Sequence, residues 1–203
     1  MRQPSNRRAS ARNHLSRPAR TRIVNEENRE SGTGLERISV QELGKLRAVA
    51  NYQFGRNVGE ELFDRTVMVG HSLKTGRMKL LYRRGQLLGT LRPSDGLLAL
   101  SIEGAKRLLT SGRFRNVVTV RSDVASFIKK GKNVFAKHVT AANPIIRPED
   151  EVVVVDERRH LLAVGRASLS ADEMLQFKRG IAVNVRRGVD RSPVQKSESP
   201  LSA

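Results

Sequence analysis

The sequence predicts an α+β architecture in two successive small domains, and three observations carry the prediction. Helical patterns and short β-like runs alternate through residues 36–188. The 203 residues suit two compact domains, and the two ends of the chain differ in composition from its middle. Four consecutive valines at 152–155 read as a buried, β-branched strand inside a run of short strands. The expected divisions are a disordered basic arm at 1–35, an α+β domain at 36–112, a second domain at 113–188 and a disordered tail at 189–203.

The arm follows from seven arginines between Arg2 and Arg22, interleaved with Ser, Asn and Pro, before any acidic residue appears. Ser39 is placed to cap a helix over VQELGKLRAVANYQF, where Val40, Leu43, Leu46, Val49 and Ala50 recur at three- and four-residue spacing. After a Gly-punctuated turn come the strands TVMVGHS, MKLLYRR, GQLLGTLR and GLLALS, each bounded by Gly, Pro or Asp. Ser101 opens a second helix, IEGAKRLL, and SGRFRN at 111–116 is the candidate link.

The second domain begins with strand NVVTV. Ser122 is then expected to cap the helix DVASFIKK, which Gly131 ends as a residue able to take positive φ. NVFAKHV reads as one strand, RPED as a turn, and LLAVGRASL as the partner of the valine strand. Ser170 and Glu173 form a capping box for ADEMLQFKR, and Gly180 releases the chain into the strand IAVNVRR. Five strands and two short helices in about 75 residues predict a small, partly closed barrel.

Composition narrows the function. With 38 basic and 20 acidic residues the net charge is +18, which favours a polyanionic partner, nucleic acid first and an anionic membrane second. Residues 37–112 hold 13 basic and 6 acidic side chains, and 113–190 hold 15 and 9, so both domains are positive. No apolar run nears membrane-spanning length and the start of the chain lacks a signal-peptide core, so a soluble cytoplasmic protein without a membrane partner is expected. The absence of cysteine and the scatter of His14, His71, His138 and His160 argue against a metal, and no cofactor is expected. No nucleophile–base set or paired carboxylates are recognisable, and GRNVGEE lacks the lysine and hydroxyl of a P-loop, so the chain is not expected to be an enzyme by itself. Aromatic residues make up 4% of the chain, which points to recognition by charge and shape more than by stacking. Tyr52 and Phe54, ending the first helix, read as aromatics that close a small core.

The segments VRSDVASFIKKGKNVFAKHV and RPEDEVVVVDERRHLLAVGRASLSADEMLQFKRGIAVNVRRG, in this order of elements, resemble a PUA domain. In detail they are similar to the PUA domain of archaeal (archaeosine) tRNA-guanine transglycosylases. LRAVANYQFGRNVGEELF and LKTGRMKLLYRRGQLLGTLRPSDGLLALSIEGAKRLL resemble the domain that precedes PUA in those enzymes, so the likeness runs over 37–188. It implies a small α+β domain followed by a PUA-type mixed β pseudo-barrel with short helices. The enzymes' chemistry sits on a (β/α)₈ barrel of about 250 residues, more than this chain holds. None of their catalytic aspartates or zinc-binding cysteines has a counterpart here. The implied function is tRNA binding linked to tRNA modification, as a non-catalytic recognition subunit or paralogue of an archaeosine transglycosylase system. Its partners would be the acceptor stem and 3′ end of tRNA and a catalytic transglycosylase-type protein. The alternative is a ribosome- or translation-associated PUA protein that binds rRNA.

The candidate RNA contacts are Lys129, Lys130, Gly131, Lys132, Asn133, Phe135 and Lys137. A glycine has no Cβ to keep backbone from a ligand, and a helix end followed by exposed amides and lysines suits phosphate. The resemblance places this helix and the following strand along the RNA groove; without it, Gly131 reads as a helix-ending glycine amid solvated charge. Arg147 and Arg166, with Arg186 and Arg187, lie near predicted strand ends and extend the groove, each equally readable as an intraprotein ion pair. A secondary basic surface comprises Arg77, Lys79, Arg83 and Arg84, the last two at a hairpin turn in RRGQ, and Arg113 and Arg115 beside the link. For the hairpin residues the competing reading is charge that blunts a sheet edge.

Overall fold

A computed structural model describes residues 34–190. The predicted arm, apart from residues 34–35, and the predicted tail, apart from 189–190, lie outside the described residues. Leu35, placed in the arm by composition, instead opens a strand, β1 (Leu35–Arg37), that pairs antiparallel with β2 (Val67–His71).

Helix α1 (Val40–Phe54) starts where Ser39 predicts. The Ser39 hydroxyl accepts the Glu42 N–H at 3.2 Å and Glu42 accepts the Ser39 N–H at 2.9 Å, a reciprocal cap worth about 1 kcal/mol. Leu43, Leu46, Ala50 and Phe54 bury its inner face, whereas Val40 in the first turn is exposed. The turn expected next contains a short helix, α2 (Val58–Leu62), whose Gly59 N–H donates to Asn51 Oδ1 at 2.7 Å. Strands β3 (Met78–Arg83), β4 (Gln86–Leu91) and β5 (Leu98–Leu100) complete an antiparallel sheet in the order β1-β2-β3-β4-β5. Helix α3 (Ile102–Ser111) is capped by Ser101, which accepts the Gly104 N–H at 3.0 Å.

The second sheet has six strands in the order β7-β11-β10-β9-β6-β8: β6 (Val117–Val120), β7 (Val134–Phe135), β8 (Val139–Ala142), β9 (Glu151–Asp156), β10 (Leu161–Ala167) and β11 (Ile181–Gly188). Only β6 and β9 run parallel. NVFAKHV is not one strand. Val134 and Phe135 pair with β11, a 3₁₀ turn spans Ala136–His138, and β8 continues against β6. One short stretch thus joins the two edges of the sheet and nearly closes it as a barrel, the mixed α+β form that the sequence predicts.

Ser122 does not cap a helix. It sits in a 3₁₀ turn (Ser122–Val124) leading into α4 (Ala125–Lys129), and its hydroxyl donates to Glu157 at 2.6 Å. The capping box of Ser170 and Glu173 does open helix α5 (Ala171–Gln176).

The valine strand explains how the two sheets meet. Val152 and Val154 belong to the core inside the barrel, with Val118, Val134 and Leu162. Val153 and Val155, pointing the opposite way, belong to the core that also holds Leu46, Leu98, Leu100 and Leu108. β9 is therefore a wall shared by both layers, which is why both of its faces are apolar. Beside it the Glu151 carboxylate, fully buried, accepts the Leu100 N–H at 2.8 Å and pairs with both Arg186 Nη atoms, Nη1 at 2.9 Å. Arg186 Nη2 also donates to the Leu100 carbonyl at 2.6 Å. This clamp ties β5 of the first sheet to β9 and β11 of the second.

Candidate nucleic-acid interface

The lysine-rich loop hangs between α4 and β7. Gly131 takes φ +88, the left-handed conformation expected of it, and its N–H donates to the Ile128 carbonyl at 2.8 Å. The Lys132 N–H returns to the Phe127 carbonyl at 3.2 Å, so the loop is a tight turn. Lys130, Lys132 and Lys137 are exposed and Lys129 is half-buried. Among the described residues none of the four has a carboxylate partner, so each charge is available to an external anion.

What holds the turn in place is a glycine that the sequence reading did not single out. A Cβ on Gly188 would stand 2.0 Å from the Lys129 carbonyl oxygen and 2.7 Å from the Gly131 nitrogen. The end of β11 lies backbone to backbone against the end of α4, and the Asp190 N–H donates to the Lys129 carbonyl at 3.1 Å. Asn133 does the same work on the other side: its Oδ1 accepts the Val185 N–H at 3.0 Å and its Nδ2 donates to Asn184 at 3.4 Å. Asn184 in turn donates to the Ser168 hydroxyl at 2.8 Å. Asn133 therefore positions the loop.

Phe135 is 46% exposed beside its cross-strand neighbour Ile181, and Phe127 and Phe177 are exposed too. Of the six phenylalanines, the three after the link face solvent, so apolar contact accompanies charge on this domain despite the low aromatic content. His138, next to Lys137, carries a buried Nδ1 without a hydrogen-bond partner; burial first, then Lys137 and Arg121, push its pKa below the ordinary value. The imidazole is thus held neutral at pH 7 and adds no charge to the lysines.

The remaining candidates are placed differently. Arg147 Nη1 donates to the Pro144 and Ile146 carbonyls at 2.7 and 3.1 Å, fastening the β8–β9 loop. Arg166 lies across from Asn184 but its guanidinium pairs with Glu149 at 2.5 Å. In the first sheet Arg77 and Lys79 are exposed at the start of β3. Arg84 and Gly85, with φ +49 and +79, form the two-residue hairpin turn predicted at RRGQ. Arg84 is exposed there, while Arg83 turns to Asp64 at 2.8 Å. Burial pushes the Asp64 carboxyl up, but the Thr66 hydroxyl and N–H together with Arg83 outweigh it and hold the pKa at about 2. Arg113 lies 3.4 Å from Glu61, and Arg115 has no carboxylate partner among the described residues.

Among the described residues no group of three or more His, Cys, Asp or Glu is placed to hold a metal ion, and no helix is long and apolar enough to cross a membrane.

Residues 44–114 match the family described as the patch-forming domain C2 of tRNA-guanine transglycosylase, and residues 116–189 match the PUA domain. The chain is 48% identical over 149 residues to tRNA-guanine(15) transglycosylase of Thermococcus kodakarensis, a match that covers 72% of this chain and 25% of that protein. The identity to tRNA-guanine(15) transglycosylase of Pyrococcus furiosus is 46% over 146 residues, covering 71% and 24%. The chain thus spans about a quarter of the length of these curated relatives. A hypothetical protein of Pyrococcus horikoshii superposes with a TM-score of 0.64 at 20% identity, over 77% of this chain and 95% of that one. A conserved PUA domain protein of Thermoplasma acidophilum superposes with a TM-score of 0.55 at 22% identity, over 75% and 91%. These two likenesses concern the fold alone.

Proposed function

With a PUA domain at 116–189 and the patch-forming domain C2 of tRNA-guanine transglycosylase at 44–114, the chain is a PUA-domain protein resembling the C-terminal domains of archaeal tRNA-guanine transglycosylase, and we propose that it binds tRNA in the service of tRNA modification. In this reading it is a recognition subunit or paralogue of an archaeosine transglycosylase system and contributes no reacting group. A transglycosylase-type protein is its catalytic partner. The acceptor stem and 3′ end are the part of tRNA it grips.

The observation that supports this most directly is the turn at 129–137, where four lysines without carboxylate partners surround a backbone held rigidly by Gly188 and Asn133. A preorganised cationic turn suits the phosphates and 2′-hydroxyls of an RNA helix, which offer shape more than sequence. Phe135, exposed next to Ile181, adds an apolar contact for a terminal base. Arg166 reaches this surface through its cross-strand neighbour Asn184, which Asn133 contacts, and Arg147 fastens the loop that carries Arg166's partner Glu149. Arg77, Lys79, Arg84, Arg113 and Arg115 give the first sheet and the link a weaker basic surface for the rest of the molecule.

The test is a binding titration of the full chain with a tRNA transcript. Replacing Lys130, Lys132 and Lys137 together by Ala is expected to weaken binding at least about tenfold with the thermal unfolding midpoint unchanged. Unchanged affinity in a folded triple variant overturns the assignment of this turn. Equal affinity for duplex DNA overturns the tRNA reading.

A further inference from the structure

Between the end of α1 and the entry to β6 lies a cleft of about 590 Å³, within the roughly 300–1,000 Å³ of small-ligand sites. Tyr52, Arg56, Arg113, Arg115, Ile145 and Asp150 are on its walls. The sequence predicts both Tyr52 and Phe54 as core-closing aromatics; Phe54 is one, 2% exposed and edge-to-face with Phe114 at 5.3 Å, whereas Tyr52 is 85% exposed. Ile145 is 46% exposed on the opposite domain. Arg56 and Arg115 are exposed and have no carboxylate partner among the described residues. Arg113 has only the Glu61 carboxylate at 3.4 Å, with both side chains largely solvated, a pair weak enough for a phosphate to displace. The acid on the cleft wall, Asp150, already accepts the Arg147 N–H at 2.8 Å.

We propose that this cleft is a second RNA contact that takes an unpaired nucleotide, its base stacked on Tyr52 and its flanking phosphates held by Arg56, Arg113 and Arg115. An exposed aromatic face beside planar guanidinium groups is the chemistry that captures single-stranded nucleic acid, stacking being tolerant of base identity and arginine matching phosphate. The site is separate from the lysine turn. None of the cleft's walls comes from residues 129–137: they are the end of α1, the link and the β8–β9 loop, whereas the turn is seated on the end of β11. Because α1 and β9 share one core, the two contacts are held at a fixed spacing and an RNA that engages both is gripped at two points. The inference rests on the RNA-binding reading and adds a strand-selective contact to it.

The chain has two tyrosines and no tryptophan, so a Tyr82→Phe variant reports Tyr52 alone by intrinsic fluorescence. The full chain carrying it is titrated with an unstructured single-stranded RNA dodecamer and with a duplex RNA of the same length. The expected result is quenching by the single strand and not by the duplex. In the otherwise native chain, Tyr52→Ala is expected to lower single-strand affinity about fivefold or more, with Tyr52→Phe near native and Arg56→Ala with Arg115→Ala also weakened. Unquenched emission, or an unchanged affinity in Tyr52→Ala while the lysine triple variant loses binding, overturns the cleft and leaves the RNA-binding reading intact. Failure of the native chain to bind either RNA at low salt overturns both.

Discussion

Glu151 is a carboxylate placed at full burial between two sheets, and Arg186 is foremost among the groups that offset its cost. Burial pushes its pKa above the ordinary value, while Arg186, the Leu100 N–H and Arg92 pull the other way. Removing a partner from such a pair is worse than never having built it, because a buried charge is left alone. Arg186→Met is therefore expected to destabilise the fold by about 3 kcal/mol at pH 7, read by urea unfolding. Glu151→Leu combined with Arg186→Met should recover most of that. The sign with pH follows from the raised value. In Arg186→Met the penalty is present above the raised folded pKa and shrinks as pH falls through it toward the unfolded value, so the variant gains on the native chain in acid. A pH-independent difference would show that the carboxylate is compensated elsewhere. The sequence offered Arg186 as one basic residue near a strand end, with groove and ion pair equally open. Its partner stands 35 positions earlier, and no spacing rule connects two residues that meet only when β9 and β11 flank β10.

At the scale of elements, the lysine turn depends on how closely β11 approaches α4. Gly188 permits a contact in which an added Cβ meets backbone carbonyl, which cannot rotate away as a side chain would. Gly188→Ala should force the two apart, costing about 1–3 kcal/mol and lowering tRNA affinity although no charge is removed. Unfolding midpoints and binding measured on the same variant check this, and full affinity in a destabilised variant would separate the turn's position from its function. Elements with local determinants were legible: α1, α3 and α5 begin where Ser39, Ser101 and Ser170 place them, because a cap joins residues only three positions apart. Ser122 looks the same in sequence but is drawn to Glu157, 35 residues away. NVFAKHV alternates well enough to read as one strand, yet the Ala136 N–H bonds to the Gly180 carbonyl and the chain turns across to the other edge. Barrel closure is a property of the whole sheet, and a single strand's pattern cannot encode it. The lysines and Gly131 were visible because they fall within one short segment, 129–137; Gly188 and Tyr52 acquire their roles only through distant neighbours.

Across the whole molecule, a net charge of +18 and a shared core act together. Val153, Val155 and Val164 of the second sheet sit in one cluster with Leu46, Leu98 and Leu108 of the first, so the basic surfaces are carried on a single body. A rigid array of cations binding RNA releases counterions from each phosphate it meets, and the logarithm of affinity then falls linearly with the logarithm of salt, with a slope of about −0.9 per contact on a duplex. The lysine turn alone gives about three such contacts, so the native chain should show a slope of about −3 or steeper on tRNA. Between about 50 and 200 mM salt this amounts to a fifty-fold loss or more. The triple lysine variant should flatten the slope by about 2 to 3, each phosphate-bound lysine being worth about one. Tyr52→Ala should lower affinity while leaving the slope unchanged, because stacking releases no counterions. A slope near zero for the native chain would remove phosphate capture as the basis of binding. Equal flattening by Tyr52→Ala and the lysine variant would mean that the cleft and the turn are not independent contacts.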